Sequence, residues 1–228
     1  MASEQATGFR GESFPSGRTT GIVMGVASLL AVLFMAYHPR VHASTNEELF
    51  AGISKVAFIN KLVHGSLIAL EIVLAVAFSC LASRLGNSSL LVRTGYFAYL
   101  TGAITLSAAA LINGFVLTDF VARYVGRTKE TLDIAKHALA YGGVANQVCS
   151  RMGVLAMSIA VALWSIKLIS MSGGVRAVGI FGCISGGIPA AALLLGYLHM
   201  DVHGMLAFVL SQTLWSLAVA WLLVRGRI

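Results

Sequence analysis

Six histidines and one isolated glutamate are the residues of this chain best equipped for chemistry. His38, His42, His64, His137, His199 and His203 are scattered through the sequence, and two of them fall in the segment GYLHMDVHGML at 196–206. Imidazole ligates haem iron, copper and zinc, and it exchanges protons near neutral pH. His199 and His203 are four residues apart, a spacing that puts both on one face if the segment is helical. His64 and His203 share a local pattern, LVHGSL at 62–67 and DVHGML at 201–206. The glycines that follow them, Gly65 and Gly204, would let a flat macrocycle approach the backbone. Met200 and Met205 add thioethers suited to copper(I). These residues predict a site formed by His64, His199 and His203, then His38, holding haem b or a copper or zinc ion. Asp201 is expected to orient an imidazole, and Arg151 to hold a haem propionate or an anionic headgroup.

Glu71 stands near the middle of an apolar run, seven residues after His64 and so on the same helical face. An ionisable group at that depth in a bilayer costs about 2.5–3.5 kcal/mol on insertion scales. It must therefore face other helices, with a partner such as Asn113, Gln147 or Gln212, or carry a proton. Two roles follow: a proton relay leading inward from the histidines, or a hydrogen bond that packs helices.

These residues need elements to position them, and the composition says what kind. Of 228 residues 57% are hydrophobic and 11% charged, against roughly a quarter charged in a soluble domain. So little polar surface cannot cover a globule in water, which predicts lipid as the solvent. Six apolar runs follow a polar stretch at 1–20: residues 22–37, 62–82, 95–117, 148–169, 177–198 and 204–224. Each is near the ~20 residues that span a hydrocarbon core as a helix. None shows the dyad alternation of a membrane barrel. The expectation is an all-α bundle of six transmembrane helices over 21–228, preceded by a flexible tail at 1–20. Gly186, Gly187 and Pro189 predict a kink or a close helix crossing in the fifth run. Two loops, 44–58 and 127–143, read as short interfacial helices. Ser44 and Glu47 have capping-box spacing in the first, and Gly142-Gly143 would end the second. Either loop could instead extend its neighbouring span. Arg10 and Arg18 before the first run and VHAS at 41–44 would also fit a signal peptide cut after Ala43. The run is long for that and is taken as a retained helix.

With six spans, all six histidines fall on one side. The opposite side carries Arg84, Arg93, Lys167, Arg176, Arg225 and Arg227 in short loops and a terminus without acids, with Arg10 and Arg18 in the tail. Short basic loops stay cytoplasmic, which predicts a cell-membrane protein with both termini in the cytoplasm and the histidines outside.

The formal charge of +7 does not indicate nucleic acid, because the basic residues sit singly at the ends of apolar runs. Gly-rich phosphate loops, GxSxG, HExxH and CxxCH are absent. Three function classes remain. The leading expectation is a metal- or haem-binding membrane protein exchanging electrons with a lipid-soluble partner such as a quinone. The second is a carrier or channel for a small solute or proton. The third is a non-catalytic subunit of a membrane complex or a homo-oligomer, packed through its small residues. For orientation, an impermeant thiol reagent on intact cells should reach Cys149 and spare Cys80 and Cys183. Labelling of Cys80 or Cys183 alone would reverse the topology.

Overall fold

The computed structural model describes residues 16–228, and these fold entirely into helices and turns. The first helix, α1, covers Gly17–Ala36. It begins earlier than the boundary expected at residue 20, because Ser16 caps it by accepting the Thr19 N–H at 3.1 Å. The tail at 1–15 lies outside the described residues. A short helix α2 (Asn46–Lys55) follows, then α3 (Ala57–Gly86) and α4 (Leu90–Leu111). A π-helical turn over Ile112–Val116 leads into α5 (Leu117–Ala122). The chain then runs through α6 (Lys129–Ile169), α7 (Gly173–Leu194) and α8 (Val202–Val224). Six helices, with α4, the π turn and α5 taken as one, are long and apolar enough to cross a membrane.

Two expectations about the loops need correction. The capping box of α2 is one residue later than expected: Thr45 accepts from Glu48 N–H, and the Glu48 carboxylate accepts from the backbone at Thr45. The second loop helix is not separate. It runs unbroken through Gly142 and Gly143 to Ile169. Gly142 is there for packing, since a Cβ at that position would run into the side chain of Leu117.

The long helices alternate in direction and close into a ring. α1 packs on α8 and α3, α3 on α4, α4 on α6, α6 on α7, and α7 on α8. α1 is a full member of that ring, with Thr213 on α8 donating to Ser28 O at 3.3 Å. Glycines set the closest approaches. A Cβ on Gly21 would lie 2.5 Å from Ala220 O, and one on Gly102 would lie 3.0 Å from Gly153 O. The close crossing expected in the fifth run is present: Gly179, Gly182 and Gly186 lay the backbone of α7 against Ser165 and Ser158 of α6. α7 continues through Pro189.

Around the outside, the ring presents bare hydrocarbon. Ile72, Val76, Ile104, Ile188 and Leu214 are each more than half exposed. On the histidine side, α2, α5 and the first turns of α6 build a cap around Phe50, Val121, Leu132 and Ala135. Asn46 Nδ2 donates to Asp133 Oδ1 at 2.5 Å, and Lys61 pairs with Asp119. Toward the other end, Phe78, Trp164 and Trp215 stack with interplanar angles of 5–13° and close the interior.

The α6–α7 crossing gives a matched pair of substitutions. A Cβ on Gly186 would meet Ser158 O at 2.6 Å, whereas nothing lies within 4 Å of one on Gly187. Gly186→Ala should therefore lose about 1–3 kcal/mol by forcing the helices apart. Gly187→Ala should gain up to about 1 kcal/mol from helix propensity. Thermal unfolding in detergent checks both; equal effects would mean that the crossing does not depend on Gly186.

Candidate functional site

The ring encloses a cavity of about 360 Å³ lined from α1, α3, α4, α6 and α8. Its walls are largely apolar, with Leu74, Met157 and Phe208 among them, and Phe78 and Tyr99 form the floor. Polar groups converge at two levels. At the histidine end stand His38, His64, Asn113, Asn146, Gln147 and Asp201; deeper, Glu71 faces Tyr99.

The upper level is built around His64, in the second turn of α3 and buried. Its Nδ1–H donates to Asn60 O at 2.8 Å, and its Nε2 accepts from the Asn113 amide at 3.2 Å. That pattern requires the neutral ring, with both nitrogens engaged. The π turn makes it possible. By widening one turn, it carries Asn113 and Gly114 onto α3, where Gly114 touches the imidazole: a Cβ there would lie 2.7 Å from His64 Cγ. Asn113 O is taken up by Asn60 Nδ2 at 3.1 Å and Thr118 Oγ1 at 3.2 Å, and Asn60 also donates to Thr118 at 3.0 Å. His38, just beyond the end of α1, stands edge-on to His64 with ring centroids 4.9 Å apart. Its Nδ1 bonds Pro39 O at 2.9 Å. Burial pulls the His38 imidazole below its ordinary pKa, against the opposing effect of that bond.

At the lower level, Tyr99 O–H donates to Glu71 Oε1 at 2.5 Å. The partner of Glu71 is thus a phenol on α4, not Asn113, Gln147 or Gln212. Those three have other work: Gln147 Nε2 donates to Met200 O at 2.8 Å and Gln212 Nε2 to Ser185 O at 3.4 Å. No sequence period pointed to Tyr99, because the pairing depends on how α3 and α4 face each other.

The structure divides the expected site residues. His38, His64 and Glu71 line the cavity, whereas His199, His203 and Arg151 are exposed and do not. His199 lies in the irregular stretch before α8, so it shares no helical face with His203. Asp201 orients no imidazole. It caps α8 by accepting Gly204 N–H at 2.8 Å, and that bond holds its carboxyl below the usual carboxylate range. The glycines proposed to admit a macrocycle, Gly65 and Gly204, are both part-buried. A Cβ on Gly65 would lie 3.5 Å from Phe115, and one on Gly204 would strike the carbonyl of His199. His64 offers no free ring nitrogen to a metal while Asn113 and Asn60 hold it. Among the described residues, no group of three or more His, Cys, Asp or Glu side chains has the geometry of a metal site. The echo between 62–67 and 201–206 ends at sequence level, since His64 is buried and His203 exposed.

No protein-family model, curated protein or solved structure matches the chain.

The bonds around Asn113 make a direct prediction. In ¹⁵N spectra at neutral pH, His64 should show a protonated Nδ1 and a bare Nε2. Asn113→Leu should lose that signature and about 1–3 kcal/mol, because it strands Nε2 of His64 in the interior. An unchanged His64 spectrum in the variant would show that the amide does not set the ring's state.

Proposed function

We propose that the protein is a multi-pass membrane carrier that binds a small amphipathic solute in the ring cavity and couples its passage to the protonation of Glu71. The observation that carries this reading is the Glu71–Tyr99 pair at the floor of a cavity large enough for a ligand. Ligand pockets of about 300–1,000 Å³ are typically apolar with a few convergent polar groups, and this cavity has that character. His38 and His64 stand toward its histidine end, and aromatic rings close the other. A cavity blocked on one side suits a carrier that rearranges better than an open channel. The glycine contacts at α1–α8 and α6–α7 supply smooth surfaces on which helices can shift.

In this reading the ring lies in the cell membrane with both termini cytoplasmic, on the strength of the short basic loops, and α2 rests on the outer surface. Cys80 is buried and Cys149 and Cys183 are part-buried. The orientation is therefore better read from thiols introduced in exposed turns, with Arg127→Cys labelled from outside and Ser88→Cys protected.

The metal or haem reading is separated by composition of the purified protein. A Soret band, or copper or zinc at one ion per chain, would replace the carrier reading.

Glu71 gives the functional test. Glu71→Gln keeps an acceptor for Tyr99 and removes the proton, so stability should stay within about 1 kcal/mol. Glu71→Leu leaves the phenol unpaired and should cost about 1–3 kcal/mol. Vesicles containing the protein and a trapped pH dye, given gradients of small amphipathic solutes, should change internal pH faster than protein-free vesicles with wild type, and no faster than protein-free vesicles with Glu71→Gln. A rate above the protein-free rate in Glu71→Gln would remove Glu71 from the mechanism.

A further inference from the structure

Glu71 borders two hollows. Besides the ring cavity, a wider groove of about 930 Å³ runs between α3 and α4 and opens on the outer surface of the ring. Ile68, Glu71 and Ser107 line both spaces. The side chain of Glu71 is accordingly part-buried rather than sealed, although it sits mid-helix. The rim of the groove is apolar, with Ile72 63% exposed, Val76 61% and Ile104 68%. In a membrane that rim faces acyl chains.

The charges lining the two hollows are one-sided. Among the described residues Glu71 is the sole acid lining the groove, and the cavity adds Asp201 at its histidine end. Among the described residues no Lys or Arg lines either space, so within them the charge of Glu71 can be balanced only by a proton or by the occupant. Among the described residues, the other titratable groups lining these hollows are Tyr99, Tyr96, Cys80, His38 and His64. Phe78, Tyr99 and Phe208 supply aromatic faces, which attract cations. An anion would meet a carboxylate with no counter-charge. A strongly hydrated solute would have to cross the apolar rim.

We infer that the occupant is a lipid-dissolved weak base, a lipophilic amine, which reaches Glu71 sideways from the membrane through the α3–α4 groove. This rests on the carrier reading and names its substrate class and route. The amine arrives uncharged. Its nitrogen takes the proton of the Glu71 carboxylic acid; the O–H bond breaks, an N–H bond forms, and an ammonium–carboxylate pair remains with no net change in charge. Departure of the ammonium toward the histidine end leaves the carboxylate, which takes a proton from water on that side.

The test uses the full chain in detergent and in lipid nanodiscs with three naphthalene probes of similar size: dimethyl(naphthylmethyl)amine, naphthylmethanol and naphthylacetate. The amine should bind wild type more tightly than the other two, and Glu71→Gln should weaken it about tenfold or more while leaving the alcohol unchanged. In nanodiscs, Ala75→Trp and Ala108→Trp, which fill the groove from opposite walls, should slow amine association about tenfold and shift its equilibrium affinity less than twofold. Either variant suffices if the other fails to fold. Tighter binding of the alcohol or the acid would overturn the amine assignment and leave the carrier reading intact. Slowing by Asn146→Trp at the histidine end, without slowing by either groove variant, would overturn the lateral route. If none of the three probes binds wild type, the solute-binding reading falls, and this inference with it.

Discussion

A carboxyl group in the middle of a long apolar helix has to be satisfied from a different helix, and here one phenol does it. Tyr99 O–H reaches Glu71 across the α3–α4 pair. That bond fixes how the two helices face each other and therefore what else can be near them. Tyr99 also packs on Phe78, with centroids 4.5 Å apart, and Phe78 stacks on Trp164. Trp164 donates its indole N–H to Val92 O, tying α6 back to α4. The floor of the cavity and three sides of the ring thus descend from one acid and its partner.

The rest of the ring is held by a different kind of contact. Lipid tails are as apolar as leucine, so helices surrounded by lipid gain little from hiding apolar side chains from each other. What remains is close packing of backbones. The ring uses it at Gly21 against Ala220, at Gly102 against Gly153 and at Gly179, Gly182 and Gly186 against α6. Large apolar side chains lie both on the perimeter, as Ile72 and Ile104 do, and between the helices, as Trp164 and Trp215 do. α3 and α4 have no glycine seam facing each other along the groove, and there the wall opens.

Much of the architecture was legible in the sequence, because it follows from length and hydropathy. Six runs near the length of a span gave six helices, and an acid on the face of His64 did turn toward the interior with it. The failures have physical causes. Gly142-Gly143 looked like a helix end, since glycine often ends helices, but the helix runs on and Gly142 makes room for Leu117. The π turn at Ile112–Val116 has no local signature, and without it Asn113 would not meet His64. His203 was expected beside His64 because the two share a local sequence pattern, yet His64 is buried and His203 exposed. Depth along a helix axis follows from sequence position, whereas which face is covered follows from packing.

The unbroken length of α6 has a mechanical side. Its 41 residues make a rod of about 60 Å, roughly twice the thickness of a hydrocarbon core. Its first turns belong to the cap, its middle carries Asn146, Gln147 and Ser150 into the cavity wall, and its last turns hold α7. A tilt of about 5° around the far end would sweep the cap end through roughly 5 Å on a lever of that length. The cap and the chamber wall therefore share one rigid arm, and a force applied to the cap is felt among the polar groups of the chamber.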